Sequence, residues 1–135
     1  MAKINKKGFT LIEILIVVSI LGLMFSVSLP ISYGMYMSYK ASLKAEEVMV
    51  FISGLKRESF LYSEAKALST KDGVMTVNGK EKTFEDASIQ IDQPIDFYRN
   101  GTTSGGTVKI YVGNQAYSLN VQAPFGNLIL ERIGT

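Results

Sequence analysis

The residue types that could do chemistry are few in this 135-residue chain. It has no His and no Cys, which excludes Ser-His and Cys-His nucleophile pairs and the usual zinc ligand sets. A Ser-Lys pair or a carboxylate dyad stays open. Asp92 and Asp96 flank Pro94, and Glu46 and Glu47 are adjacent, but neither set has the convergent oxygen ligands of a calcium loop. Both read as solvated charges, and no metal or cofactor is expected. Asn100-Gly101-Thr102 fits the glycosylation pattern and reads more simply as a turn. The side chain that demands an explanation is Glu13, set into the apolar run Gly8-Phe9-Thr10-Leu11-Ile12-Glu13-Ile14-Leu15-Ile16. A carboxylate at the centre of a membrane-spanning helix costs roughly 2.5–3.5 kcal/mol, and less towards an end. Glu13 therefore calls for a cationic partner, with snorkelling to the interface as the plain alternative.

The element that carries Glu13 is long. Phe9 to Leu29 gives 21 residues with a single charge. As a helix they reach about 30 Å, the thickness of a bilayer core. Lys3, Lys6 and Lys7 precede the run and only Lys40 follows soon after, so the positive-inside rule puts the N-terminus in the cytoplasm and exports the rest. An ordinary secretory signal cut near Ser26-Val27-Ser28, or a plain anchor, is the competing reading. The length of the run, the embedded Glu13 and Pro30 beside the cut all weigh against it.

Pro30 removes a helical hydrogen bond, so a bend or local melting is expected over Ser26 to Gly34. The helical pattern then resumes. Ala41, Ala45, Val48, Ile52, Leu55, Ser59 and Tyr62 alternate at spacings of four and three, with Lys44, Glu47, Arg57 and Glu58 off the stripe. One helix from about Phe9 to Ala67 is expected, its first half in lipid and its second half packed on a C-terminal domain.

After Leu68 the period shifts to two. Val74 to Val77, Asn78-Gly79 and Lys80 to Phe84 read as a hairpin with a type I′ turn. Ser88 to Ile91 and Ile95 to Phe97 are short strands around Pro94. Val108 to Val112 and Tyr117 to Val121 alternate about Gly113-Asn114, which suits a type II′ turn, and a last strand covers about Asn127 to Arg132. The expected fold class is α+β: a long N-terminal helix on an antiparallel β-sheet domain. The expected segments are 1–8, the Lys-rich stretch ahead of the apolar run; 9–29, the membrane-spanning helix; 30–67, its amphipathic continuation; and 68–135, the β-rich domain.

The charge balance narrows the partners. The net charge is +2, but the stretch after Gly8 carries 11 basic and 12 acidic residues, and from Leu68 onward six basic and seven acidic residues are dispersed. No basic stripe tracks phosphates, so charge gives direct nucleic-acid binding no support.

The Lys-rich leader, Gly8-Phe9-Thr10-Leu11-Ile12-Glu13 and the apolar helix with Pro30 at its far end resemble the class III signal of type IV pilins and pseudopilins. The resemblance implies that a prepilin peptidase cuts between Gly8 and Phe9 on the cytoplasmic side and methylates the new amino group of Phe9. Gly8 leaves that peptide bond unobstructed. The resulting cationic amine would stand at a helix N-terminus, where the macrodipole adds about half a positive charge. The resemblance further implies that Glu13 meets the amine of a neighbouring subunit during assembly. Other pilin or pseudopilin subunits, the filament assembly platform, the peptidase and the membrane are then the partners, and the chain is a substrate of enzymes rather than an enzyme.

Ile95-Asp96-Phe97, Asn100-Gly101, Gly105-Gly106, the Val108 to Val112 strand and Gly126 with its following strand are similar to the tail of minor pseudopilins of the GspH/FimT type, which include one from Gram-positive competence machines. Some of that group carry a Gly-Arg-x-Arg stretch linked to DNA binding. Here the corresponding residues are Gly126-Asn127-Leu128-Ile129, with no arginine before Arg132. The tail leans towards a minor subunit of a competence filament. A type II secretion or type IV pilus subunit, and an anchored module that captures DNA or an exported protein directly, stay open.

Overall fold

The computed structural model describes Gly8 and residues 10–134. One helix, α1 (Leu11–Leu61), is followed by eight strands: β1 (Lys66–Lys71), β2 (Val74–Val77), β3 (Lys80–Lys82), β4 (Ser88–Ile91), β5 (Ile95–Phe97), β6 (Gly106–Val112), β7 (Gln115–Gln122) and β8 (Asn127–Gly134). The chain is α+β, as the change of period from 3.6 to 2 implies. It divides into two compact units, with the boundary between Met37 and Ser38.

In the first unit the helix has no core of its own to join. Every described side chain from Leu11 to Met37 is exposed. This is an apolar surface that water does not favour, and its length and hydropathy suit a membrane crossing. Two hydroxyls are satisfied locally: Ser19 Oγ donates to Leu15 O at 2.7 Å and Ser26 Oγ to Leu23 O at 2.7 Å. Such bonds hide serine donors from an apolar surround. Gly22 and Gly34 leave open space where a Cβ would stand.

In the second unit the helix packs on two antiparallel four-stranded sheets, ordered β3-β2-β1-β5 and β4-β6-β7-β8. The stripe read from spacing is the buried face: Ala41, Ala45, Val48, Ile52, Leu55 and Ser59. It meets Leu68, Met75, Ile95 and Phe97 of the first sheet and Ile89, Val108, Ile110, Leu119 and Val121 of the second in one core. Within β7, Gln115, Tyr117, Leu119 and Val121 are buried in alternation, as a pleated strand with one covered face requires. The sheets are joined where Ile89 N–H donates to Gly73 O at 2.9 Å and Ile91 N–H to Thr70 Oγ1 at 3.1 Å.

The helix stops at Leu61, not near Ala67, and Tyr62 leaves the stripe to stand exposed. Its end is a Schellman motif. Glu64 N–H donates to Ser59 O at 3.1 Å and Ser63 N–H to Phe60 O at 3.4 Å, with Ser63 left-handed at φ 51°. Glycine usually fills that position, and its absence left no stop in the sequence. The chain is then free to begin β1 at Lys66, a strand absent from the expected pattern because only Leu68 in it is fully buried. β3 is likewise shorter than expected, ending at Lys82. The type I′ turn is as read, with Asn78 at φ 53° and Gly79 at φ 84°.

Candidate functional site

The start of α1 is built by Thr10 and Glu13. Thr10 O accepts the first helical bond, from Ile14 N–H at 3.1 Å, which makes Thr10 the residue that caps the helix. Its hydroxyl accepts from Glu13 N–H at 3.2 Å, and Glu13 Oε2 reaches back to accept from Thr10 N–H at 3.4 Å. This reciprocal pair is a capping box, and it satisfies two backbone donors that would otherwise be stranded beside an apolar segment. The Thr-x-x-Glu spacing announces the pair in the sequence, a local duty for Glu13 beside a cationic partner or snorkelling to the interface.

The same geometry fixes the carboxylate electrostatically. Glu13 lies in the first turn, where the helix macrodipole favours an anion. Its Oε2 is held against the Thr10 amide, one residue beyond Phe9. Phe9 lies outside the described residues. Gly8 is exposed, and a Cβ there would meet nothing within 4 Å.

Pro30 stands inside α1, and the helix continues through residues 26–34. The expected local melting is therefore not what the chain does. A proline can be carried within a helix when only one bond is lost and neighbouring turns persist.

The other candidates remain separate side chains. Asp92 pairs with Lys109 at 4.0 Å and accepts from Gln90 at 3.3 Å, while Glu47 pairs with Lys44 at 3.1 Å. Among the described residues no group of three or more His, Cys, Asp or Glu is placed to hold a metal ion. Asn100 makes the turn as read: its Oδ1 accepts from Thr102 N–H at 3.1 Å and Thr102 Oγ1 at 2.6 Å, with Gly101 at φ 86°.

Spacing did not reveal a surface hollow of about 390 Å³ lined by Ser53, Lys56, Arg57, Phe60, Asn100 and Gly101. Gly101 suits this place because its φ of 86° strains an L side chain, and a Cβ would stand 3.2 Å from the Phe60 ring. The Lys56 side chain passes 3.1 Å from where a Gly126 Cβ would stand.

Comparison with known proteins bears on the helix start first. Residues 3–29 match the family model described as the prokaryotic N-terminal methylation motif. A fimbrial protein of Moraxella nonliquefaciens is 26% identical over 144 aligned residues, which cover 96% of this chain and 87% of that protein. The two similarities together support a type IV pilin-like protein with a class III signal. No solved structure matches the chain. The motif spans the capping box and the apolar helix up to Leu29, while the similarity to the fimbrial protein extends through the β-rich unit.

Proposed function

We propose that the chain is a minor pilin or pseudopilin, a structural subunit of a type IV pilus-like filament serving a competence machine, and not an enzyme. The observation that carries the reading is the capped start of α1, with Glu13 oriented at the head of a stretch, Leu11 to Met37, that is otherwise uncharged and exposed throughout. A prepilin peptidase cuts between Gly8 and Phe9, and Phe9 receives the methyl group. The new amine of one subunit then pairs with Glu13 of a neighbour, so two charges stranded in an apolar bundle neutralise each other only on assembly. Pro30 bends the helix where it leaves the bundle. The N-terminus faces the cytoplasm, the chain crosses the cytoplasmic membrane once, and the β-rich unit lies outside, reaching the surface or periplasm with the filament. The assembly platform and other subunits are its partners.

Mass spectrometry of the membrane-extracted protein tests the processing. The expected mature chain begins at methylated Phe9, and Gly8 changed to a bulkier residue blocks the cut. An N-terminus at Leu29 or an intact leader would overturn it. The competence reading rests on the resemblance of the tail to minor pseudopilins of the GspH/FimT type, whose glycines here, Gly101, Gly105, Gly106 and Gly126, occupy positive-φ positions that suit glycine. Loss of DNA uptake together with filaments in a deletion strain is the expected result. Loss of protein secretion instead would move the chain to type II secretion.

One observation favours a second reading, an anchored binding module. Lys56 and Arg57 line the hollow beside Phe60, and neither has an ion pair among the described residues. Normal filaments with lost uptake of DNA or exported protein after Lys56→Ala and Arg57→Ala would select this reading.

A further inference from the structure

The apolar helix is too long for the hydrocarbon it is to cross. From Ile14 to Tyr39 there are 26 consecutive residues without a charge, bounded by Glu13 and Lys40. At a rise of 1.5 Å they extend about 39 Å, against a hydrocarbon thickness of about 30 Å. Tilt alone would have to reach about 40°, the top of the range that membrane helices show. The excess of about 9 Å needs another place, and the headgroup zone of one leaflet supplies a depth of about 5–7 Å.

The composition of the excess matches that zone. The stretch ends Tyr33-Gly34-Met35-Tyr36-Met37-Ser38-Tyr39, with tyrosines at every third position and Lys40 and Lys44 immediately beyond. Tyr33 is 65% exposed, Tyr36 56% and Tyr39 63%. A tyrosine ring is apolar with a polar tip, and it gains most where one end meets acyl chains and the other meets water. From Leu11 to Ser32 the helix has no tyrosine, and its hydroxyls belong to small serines, at least two of them bonded back to the helix. At intervals of three the rings keep to one side of the helix, over an arc of about 120°, and each is exposed there, so all three can reach the same headgroup layer.

We infer that Tyr33, Tyr36 and Tyr39 form a headgroup belt, and that the lipid-contacting segment of the unassembled chain ends at Tyr39 and not at Leu29. Pro30 then lies just inside the hydrocarbon boundary, and Glu13 lies at the opposite interface. The inference rests on the membrane reading of the helix, and the test separates the two.

The chain has no Trp, so each Trp variant carries a single reporter. Full-length Leu23→Trp, Tyr36→Trp and Phe60→Trp would be reconstituted in vesicles of phosphatidylethanolamine and phosphatidylglycerol. Quenching would be measured with bromines placed either near the headgroup or near the acyl-chain end, a readout independent of insertion orientation. Leu23→Trp is expected to be quenched most by deep bromines, Tyr36→Trp most by shallow ones, and Phe60→Trp by neither. Replacing Tyr33 and Tyr39 by Ser in the Tyr36→Trp chain is expected to reduce its shallow quenching. A Tyr36→Trp reporter that no bromine quenches would end the span near Leu29 and overturn the belt alone. One quenched most by deep bromines would assign the excess length to tilt, and overturn it too. An unquenched Leu23→Trp would remove the membrane reading and the belt with it.

Discussion

Glu13 carries a charge and also closes a cap, and two substitutions separate these duties. Glutamine keeps an acceptor that can reach the Thr10 amide, so Glu13→Gln retains the box but not the charge. Thr10→Val retains the charge and loses the hydroxyl that accepts from Glu13 N–H at 3.2 Å, at a cost of about 1 kcal/mol to the helix start. If the carboxylate pairs with a neighbouring amine, Glu13→Gln lowers co-purification with sheared filaments while its membrane abundance stays that of the wild type. Thr10→Val is expected to assemble, with faster amide exchange confined to the first turn. Equal incorporation of Glu13→Gln and wild type at equal membrane levels would take the charge out of the mechanism. The Thr10-x-x-Glu13 spacing was legible, because a capping box is a local pattern. A partner charge belongs to another molecule, and no spacing within one chain can show it.

The elements show where local pattern stops being enough. The buried stripe from Ala41 to Ser59 follows from helical spacing alone, and the Asn78-Gly79 turn from its dipeptide. The end of α1 does not, because Ser63 adopts the left-handed conformation without the glycine that would announce it. Asn78 also holds β1 from a distance: its Oδ1 accepts from Ala67 N–H at 2.7 Å and its Nδ2 donates to Ala65 O at 3.3 Å. Those contacts span 11 and 13 residues, so they appear only once the sheet exists. Ser63→Gly is expected to stabilise the second unit by about 1 kcal/mol, since glycine carries no penalty in that conformation. The thermal midpoint of the β-rich unit measures it, and an unchanged or lower midpoint contradicts the cap. The opposite sign is expected at Gly105, where φ is 75° and a Cβ would stand 3.0 Å from Ala123 N and Val121 O. Gly105→Ala should cost about 1–3 kcal/mol, because backbone atoms on two sides cannot move aside cheaply.

On the scale of the whole molecule the two units differ in what they require. The first exposes an unbroken apolar surface, which lipid or a helix bundle must cover. The second has its own core, in which Val48, Ile52, Leu68, Met75, Ile95, Val108, Ile110 and Leu119 are all fully buried. A chain beginning at Ser38 is therefore expected to be soluble and monomeric, with mixed helix and strand in circular dichroism, while the full chain requires detergent or lipid. Ile52 is the substitution that joins this expectation to the helix, because it lies at the middle of the stripe and is wholly buried. Ile52→Asp places an unpaired carboxylate in that core, a cost of several kcal/mol set against a total stability of about 5–15 kcal/mol. The Ser38 chain carrying it should lose its cooperative thermal transition, whereas Val50→Asp, at an exposed position on the same helix, should keep it. If both variants melt like the parent, the helix does not hold the sheets together. If both unfold, the effect belongs to charge on the helix and not to burial against the sheets.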